Sequence, residues 1–149
     1  MEIRQVQSSE IFDSNSFKQS CIDYAEESGN PCFGKANPQV EAYKMLESLG
    51  RWKASAAFEG DVLVGFVAVL RSPHLHYGTD IAIVETLWLD KKHRKGTAGL
   101  RLIREAQRLA IEEFEVANLL CSAPAGSRLS QLLAKIARKT DECFHFYLR

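Results

Sequence analysis

At 149 residues, 46% hydrophobic, with 19 basic against 19 acidic side chains, the chain is sized for one domain with a substantial core and carries no formal net charge. That neutrality gives no support to a general polyanion-binding role, and no apolar run has the length of a membrane span or the form of a signal peptide. Cys21, Cys32, Cys121 and Cys143 are scattered with no C-x-x-C, which points to free thiols in a reduced, cytoplasmic setting.

After an N-terminal strand, a first helix is predicted over residues 15–28, with Phe17, Cys21, Tyr24 and Ala25 on one face and Gly29 placed to end it. A second follows Asn37-Pro38, read as N-cap and first-turn residue, and runs to Gly50 with Tyr43, Leu46 and Leu49 inward. Residues 52–58 and 62–70 are β-prone runs joined around Glu59-Gly60-Asp61, a hairpin signal. Residues 81–89 read as a buried strand. Leu102, Ile103, Ala106, Ala110 and Phe114 then recur at helical spacing, with Arg101, Arg104, Arg108 and Glu112 on other faces. Residues 116–121 read as another strand. Leu129, Leu132, Leu133 and Ile136 mark a last helix, and residues 143–148 a terminal strand. The expectation is a single α/β domain over 1–149, order β-α-α-β-β-β-α-β-α-β, with a mixed, largely antiparallel sheet flanked by helices. Residues 30–37 and 72–80 are its longer loops, where function tends to collect.

The most informative stretch joins the buried strand to the helix after it, through Asp90-Lys91-Lys92-His93-Arg94-Lys95-Gly96-Thr97-Ala98-Gly99. A basic, glycine-containing turn that opens a helix is an anion site in layout. Unpaired N–H groups and the positive end of the helix dipole face outward there, so a phosphate can be held by backbone, helped by Arg94 and Lys95. The lysine-serine ending of a P-loop is absent, and so is G-x-G-x-x-G. The preceding strands form an antiparallel meander with no βαβ unit, which argues against a Rossmann domain.

Arg94-Lys95-Gly96-Thr97-Ala98-Gly99 resembles the acetyl-CoA loop of the GNAT N-acyltransferases, [RQ]-x-x-G-x-[GA], matching at Arg94 and Gly99 and carrying Thr97 where the first Gly is usual. Sliding the alignment by one residue restores Gly96 and Ala98 but puts His93 at the Arg/Gln position and displaces Leu102-Ile103 from the family's Leu-Leu pair, so the first register is preferred. Val64-Gly65-Phe66 is similar to that family's "G-x-x-V-G-F" hairpin, and the element order is the GNAT order. The loop is also similar to those of small bacterial and phage-encoded members. The resemblance implies an acetyl-CoA-dependent N-acetyltransferase acting by direct attack in a ternary complex. It implies that the amides of Leu87 and Leu89 meet the pantetheine arm or the thioester oxygen, and that Lys95, Gly96, Thr97, Ala98, Gly99 and Leu100 offer N–H groups to the pyrophosphate beside Arg94. The acceptor is then a primary amine, on a small molecule or a protein lysine, and a homodimer stays open because dimerisation is common in the family.

Glu85 is the candidate general base. By simple alternation it shares an apolar face with Ile83 and Leu87, and a carboxylate buried there unpaired costs several kcal/mol unless it meets a partner or water. Partial burial raises a carboxyl pKa toward the range a general base needs. Its position also matches the acidic residue of the "E-[DT]-L-[YW]-[VL]" segment of polyamine-type GNAT enzymes; the alternative is a structural ion pair. The same alternation sends Trp88 to the opposite face, into the core.

The general acid is less legible. The family's usual Tyr on the last helix corresponds to Leu133, with Ala137-Arg138 replacing Gly-Phe. The thiolate then leaves as such, takes its proton from water, or is served by another donor such as Tyr147; alternatively, the domain is a catalytically silent GNAT-fold module that binds CoA or a partner. A nucleic-acid contact through residues 91–108 is disfavoured by the neutral total and the lack of interleaved aromatics. His74 and His76 lack a third ligand at metal spacing, so no metal site is assigned. His93 is read as solvated, with phosphate contact open to it. Asp23, Glu26, Glu27 and Asp80 either greet a cationic amine or face water.

Overall fold

Strands with both faces covered read as continuous apolar runs rather than alternations, and two such runs, Ala54-Ser55-Ala56-Ala57 and Leu63 to Val69, form the centre of this protein. The computed structural model describes residues 1–28, 34–146 and 148. A five-stranded sheet has spatial order β1-β2-β3-β4-β5, with β1 Glu2–Val6, β2 Trp52–Glu59, β3 Val62–His74, β4 Thr79–Leu89 and β5 Leu119–Leu120. All neighbours are antiparallel except β4 and β5, which run parallel and are bridged by a helix, as parallel neighbours must be. Gly60, at φ +58°, is the first of two residues turning β2 into β3, and Glu59 pairs with Val62.

Helices α1 Ser8–Phe12, α2 Phe17–Ser28 and α3 Val40–Ser48 cover one face; α4 Ala98–Arg108, continued by a π-turn over Leu109–Glu113, covers the other. The pleat divides the core accordingly. Val67, Val69 and Ala57 pack with Leu102, Ala106, Leu109 and Phe114 under α4, whereas Ala54, Ala56, Phe66 and Ala68 pack with Ile11, Trp52 and Trp88 under α1 to α3. Fully burying one Leu or Phe side chain stabilises by about 1.5–3 kcal/mol, so Leu102, Leu109 and Phe114 alone tie α4 firmly to the sheet.

Several boundaries differ from the sequence reading. The short α1 was not anticipated; Glu10 accepts from the Gln7 N–H at 3.2 Å and so caps it. α2 agrees with the predicted first helix, and its expected stop at Gly29 lies outside the described residues. α3 starts later than expected, with Gln39 rather than Asn37 at its N-cap. It ends as expected at Gly50, in a Schellman motif: the Gly50 N–H bonds to Glu47 O and the Arg51 N–H to Leu46 O. Leu49, expected inward, is exposed at that end. The loop expected over 72–80 is mostly strand, because Arg71 and Asp80 clamp the β3–β4 hairpin at 2.7 Å. β5 is two residues long instead of six. Among the described residues, the terminal strand expected over 143–148 does not form: Phe144, Phe146 and Leu148 are exposed and pair with nothing in the sheet. No helix among the described residues is long and apolar enough to cross a membrane.

Candidate active site

The site begins with a fault in the ladder. Ala68 pairs with Thr86 but Val69 pairs with Val84, so Glu85 is an extra residue on β4 with no partner on β3. Such a bulge inverts the inside-outside parity of the strand residues beyond it. Ala82 and Val84 lie toward α4 before it, Leu87 and Leu89 lie toward α4 after it, and Glu85 and Thr86 both face the α2–α3 side. Glu85 is therefore not in a row with Leu87, as simple alternation predicts, and it shares the wall of one pocket with Trp88 instead of opposing it.

That pocket, of ≈ 220 Å³, lies between α1, α2, α3 and the sheet. Phe12 stacks edge-on to Phe17 (centroids 4.9 Å) and packs on Tyr43 at 5.1 Å, while Tyr43 meets Trp52 at 6.1 Å and Phe66 meets Trp88 at 5.9 Å. Into this aromatic wall projects the Glu85 carboxylate. The Tyr43 hydroxyl donates to Oε1 at 2.7 Å and the Thr86 hydroxyl donates to Oε2 at 2.6 Å. Each oxygen keeps a lone pair, so the carboxylate is fixed in place and still able to accept a proton. Burial, the bond to Glu85 and its charge push the Tyr43 phenol far above its ordinary value; burial and the same charge raise Tyr24. Both phenols are therefore neutral at physiological pH. Burial also raises the Cys21 thiol, which lines the pocket, so it is a protonated filler and no thiolate nucleophile. Cys121 is raised for the same reason.

Beyond the bulge the second edge of β4 opens. β5 pairs only with Ala82 and Ile83 and does not follow β4 further. The Asp90 N–H donates to Val64 O, so by the alternation of an antiparallel ladder the backbone groups of Leu87 and Leu89 point away from β3, toward the departing β5. Leu89 O points that way and accepts from Arg94 Nε at 2.7 Å.

The basic turn comes immediately after. The Asp90 side chain accepts from the Lys92 N–H and sets a 3₁₀ turn over Lys91–His93; Gly96 takes φ +74°, and Thr97 stands at the N-cap of α4. The Arg101 N–H reaches back to Thr97 O, which leaves the N–H groups of Ala98, Gly99 and Leu100 without intrahelical acceptors. Nothing lies within 4 Å of where a Cβ on Gly99 would sit, so the flank of this first turn at Gly99 is open. Lys95 has no ion-pair partner among the described residues. These are the features an incoming pyrophosphate needs.

Arg94 is tied to two neighbouring elements. Its Nη1 donates to Glu27 of α2 at 2.9 Å, so the guanidinium holds the turn against β4 and α2. Lys91 likewise sits 3.5 Å from Asp23, 3.8 Å from Glu26 and 3.9 Å from Glu27. Asp23 is buried and also accepts from Gln19 and from the Trp88 indole. Burial alone pushes its carboxyl up, but those hydrogen bonds and Lys91 outweigh it and hold the pKa below the ordinary value. The α2 carboxylates therefore latch α2 to the turn, Asp23 from a buried position and Glu26 and Glu27 from the exposed side of the helix. Asp80 is engaged by Arg71, and His93 is partly covered and bonded to Glu59 at 2.8 Å rather than solvated. His74 contacts the Tyr77 ring, and among the described residues no three His, Cys, Asp or Glu side chains are grouped to hold a metal. Tyr147 lies outside the described residues. Leu133 stands on α5 Arg128–Ile136, away from the pocket lining. The phenols at Glu85 come instead from α2 and α3. Tyr43 was visible in the sequence only as an inward helix position; its partner is 42 residues away.

A profile of the acetyltransferase (GNAT) family matches residues 21–126, most of the chain. Among solved structures the protein is similar to ribosomal-protein-alanine N-acetyltransferase from Brucella melitensis biovar Abortus 2308, at 20% identity and TM-score 0.68 over 98% of both chains. It is also similar to a predicted acetyltransferase with acetyl-CoA from Clostridium acetobutylicum (13% identity, TM-score 0.73, 99% of this chain and 96% of that one). A third is an aminoglycoside acetyltransferase from an uncultured soil metagenomic sample in complex with sisomicin (14%, TM-score 0.68, 99% and 95%). At these identities the likeness is one of fold. No curated protein sequence matches significantly. The profile match, the single α/β domain and the helix-opening basic turn beside a splayed strand agree, and the chain belongs to the GNAT family of acetyltransferases, whose common donor is acetyl-CoA.

Proposed function

We propose that the protein transfers an acetyl group from acetyl-CoA to a primary amine by direct attack in a ternary complex, with Glu85 as general base. The observation that carries this reading is the bulge: it turns a carboxylate, held by Tyr43 and Thr86, into an aromatic pocket, a few residues before the free edge at Leu87 and Leu89. Acetyl-CoA supplies the thioester carbon to which the amine nitrogen bonds as the C–S bond breaks. Glu85 takes the proton the amine must lose, directly or through one water, and the thiolate takes a proton from solvent. The outward N–H groups of Leu87 and Leu89 receive the pantetheine arm and polarise the thioester oxygen. The N–H groups at Lys95, Gly96, Thr97, Ala98, Gly99 and Leu100, with the free Lys95 ammonium, hold the pyrophosphate, and Arg94 keeps the turn in position. Cys21, the thiol in the pocket wall, is protonated, which favours direct attack over an acyl-cysteine route. Its free thiol suits a reduced, cytoplasmic setting.

Calorimetric titration with acetyl-CoA and CoA tests the donor site. Saturable binding is expected in the wild type and its loss in Gly99→Trp. Because a Cβ at Gly99 meets nothing, that variant is expected to fold normally while its indole fills the space before the α4 amides. Equal affinity in the two proteins refutes the assignment of this turn.

A further inference from the structure

We infer that the acceptor is a small monoamine carried on an aromatic or compact apolar body, not a polyamine, an aminoglycoside or a lysine side chain. This deepens the acetyl-transfer reading and rests on it. The pocket offers one negative charge. Of its described lining residues Glu85 alone is acidic, and residues 29–33, which border the described stretch, contain no Asp or Glu. The other carboxylates nearby lie outside the lining: Asp23, Glu26 and Glu27 stand toward Lys91 and Arg94, and Glu47 accepts from the backbone and hydroxyl of Ser8. A second ammonium drawn inside is therefore stripped of water with no counter-charge, a loss that ring faces offset only in part.

The rest of the wall suits an apolar body. Phe12, Phe17, Tyr43, Trp52, Phe66 and Trp88 surround the space, and rings of this kind pair edge-to-face or offset with an aromatic guest. The cavity measures ≈ 220 Å³, room for one compact body against these rings. A lysine stem is slim and flexible; it leaves much of such a wall uncovered and loses more rotamer freedom than a ring on a short tether.

The test has two readouts. Trp52 and Trp88 are the only tryptophans and both line the pocket, so intrinsic fluorescence reports occupancy without turnover. Thiol release from acetyl-CoA reports transfer. The probes are 2-phenylethylamine, spermidine, kanamycin and Nα-acetyl-lysine amide. A saturable fluorescence change with 2-phenylethylamine is expected, together with kcat/KM at least about tenfold above each other amine, and Phe17→Ala is expected to raise its half-saturation about tenfold. Exposed Asn37→Asp, which adds a second carboxylate at the rim, is expected to raise the spermidine rate about fivefold with little effect on folding. Faster transfer to spermidine, kanamycin or the lysine probe overturns the substrate class and leaves acetyl transfer standing. Saturable fluorescence with no thiol release from any amine upholds the pocket assignment and overturns the transfer reading. Neither signal with 2-phenylethylamine overturns the inference.

Discussion

Replacing Tyr43 by Phe deletes one hydroxyl and keeps the ring that packs on Phe12 and Trp52, so it isolates the 2.7 Å bond to Glu85 from the packing around it. A hydrogen bond to an ionised group contributes about 1.5–3 kcal/mol. If that bond holds Glu85 where the amine proton must go, its loss lowers kcat/KM by roughly 10- to 150-fold at about 1.4 kcal/mol per decade. The melting temperature should fall by roughly 4–10 °C for the same loss, with Thr86 still bonding the other oxygen. Glu85→Gln, which removes the base itself, should cost about 10²–10⁴-fold. Tyr43 acts through Glu85, so adding Tyr43→Phe to Glu85→Gln should cost less than about threefold more; two independent sites would multiply their losses. The assay is initial-rate thiol release from acetyl-CoA with a saturating amine, beside thermal melts of the four proteins. Tyr43→Phe within threefold of the wild type, or multiplicative losses in the double variant, would show that the bond does not position the base.

Two further expectations concern stability. A Cβ at Gly65 lands 2.8 Å from Leu89 Cδ1, 3.0 Å from the Trp88 carbonyl oxygen and 3.3 Å from Leu102 Cδ1, so Gly65→Ala must turn the Leu89 side chain aside and push the Trp88 carbonyl of β4 by a few tenths of an ångström. Overpacking of this kind costs about 1–3 kcal/mol, a fall of roughly 3–10 °C in Tm; an unchanged Tm would show that the contact relaxes freely. Asp23 has a folded pKa below its unfolded one, so the folded state binds fewer protons there. Its contribution is present in full above about pH 4 and is lost as the pH falls through the folded value. Asp23→Asn should therefore flatten the acid limb of the Tm–pH curve, and parallel curves for the two proteins would exclude this origin.

How much of this was legible in the sequence depended on the range of the interaction. Helical spacing located α4, Glu59-Gly60-Asp61 located the hairpin, and the Gly50 stop of α3 was readable because each is set by residues close together in the chain. The turn at Gly96 to Gly99 was readable for the same reason: a helix start exposes its N–H groups wherever it occurs. Residues 143–148 have strand composition, but a strand needs an edge to pair with, and among the described residues they find none.

The site itself was decided by tertiary structure. One unpaired residue in the β3–β4 register shifted the face that Glu85 occupies, and no local pattern announces a bulge. Tyr43, the partner of Glu85, and the carboxylates that pair with Lys91 and Arg94 lie 42 or more positions away in sequence. The sequence by itself determined the layers, the anion-ready turn and the acidic residue on β4, because hydrophobic period and backbone valence are local properties. Only the folded chain decided that this carboxylate stands in an aromatic pocket held by a phenol, because charge and burial depend on what is brought near.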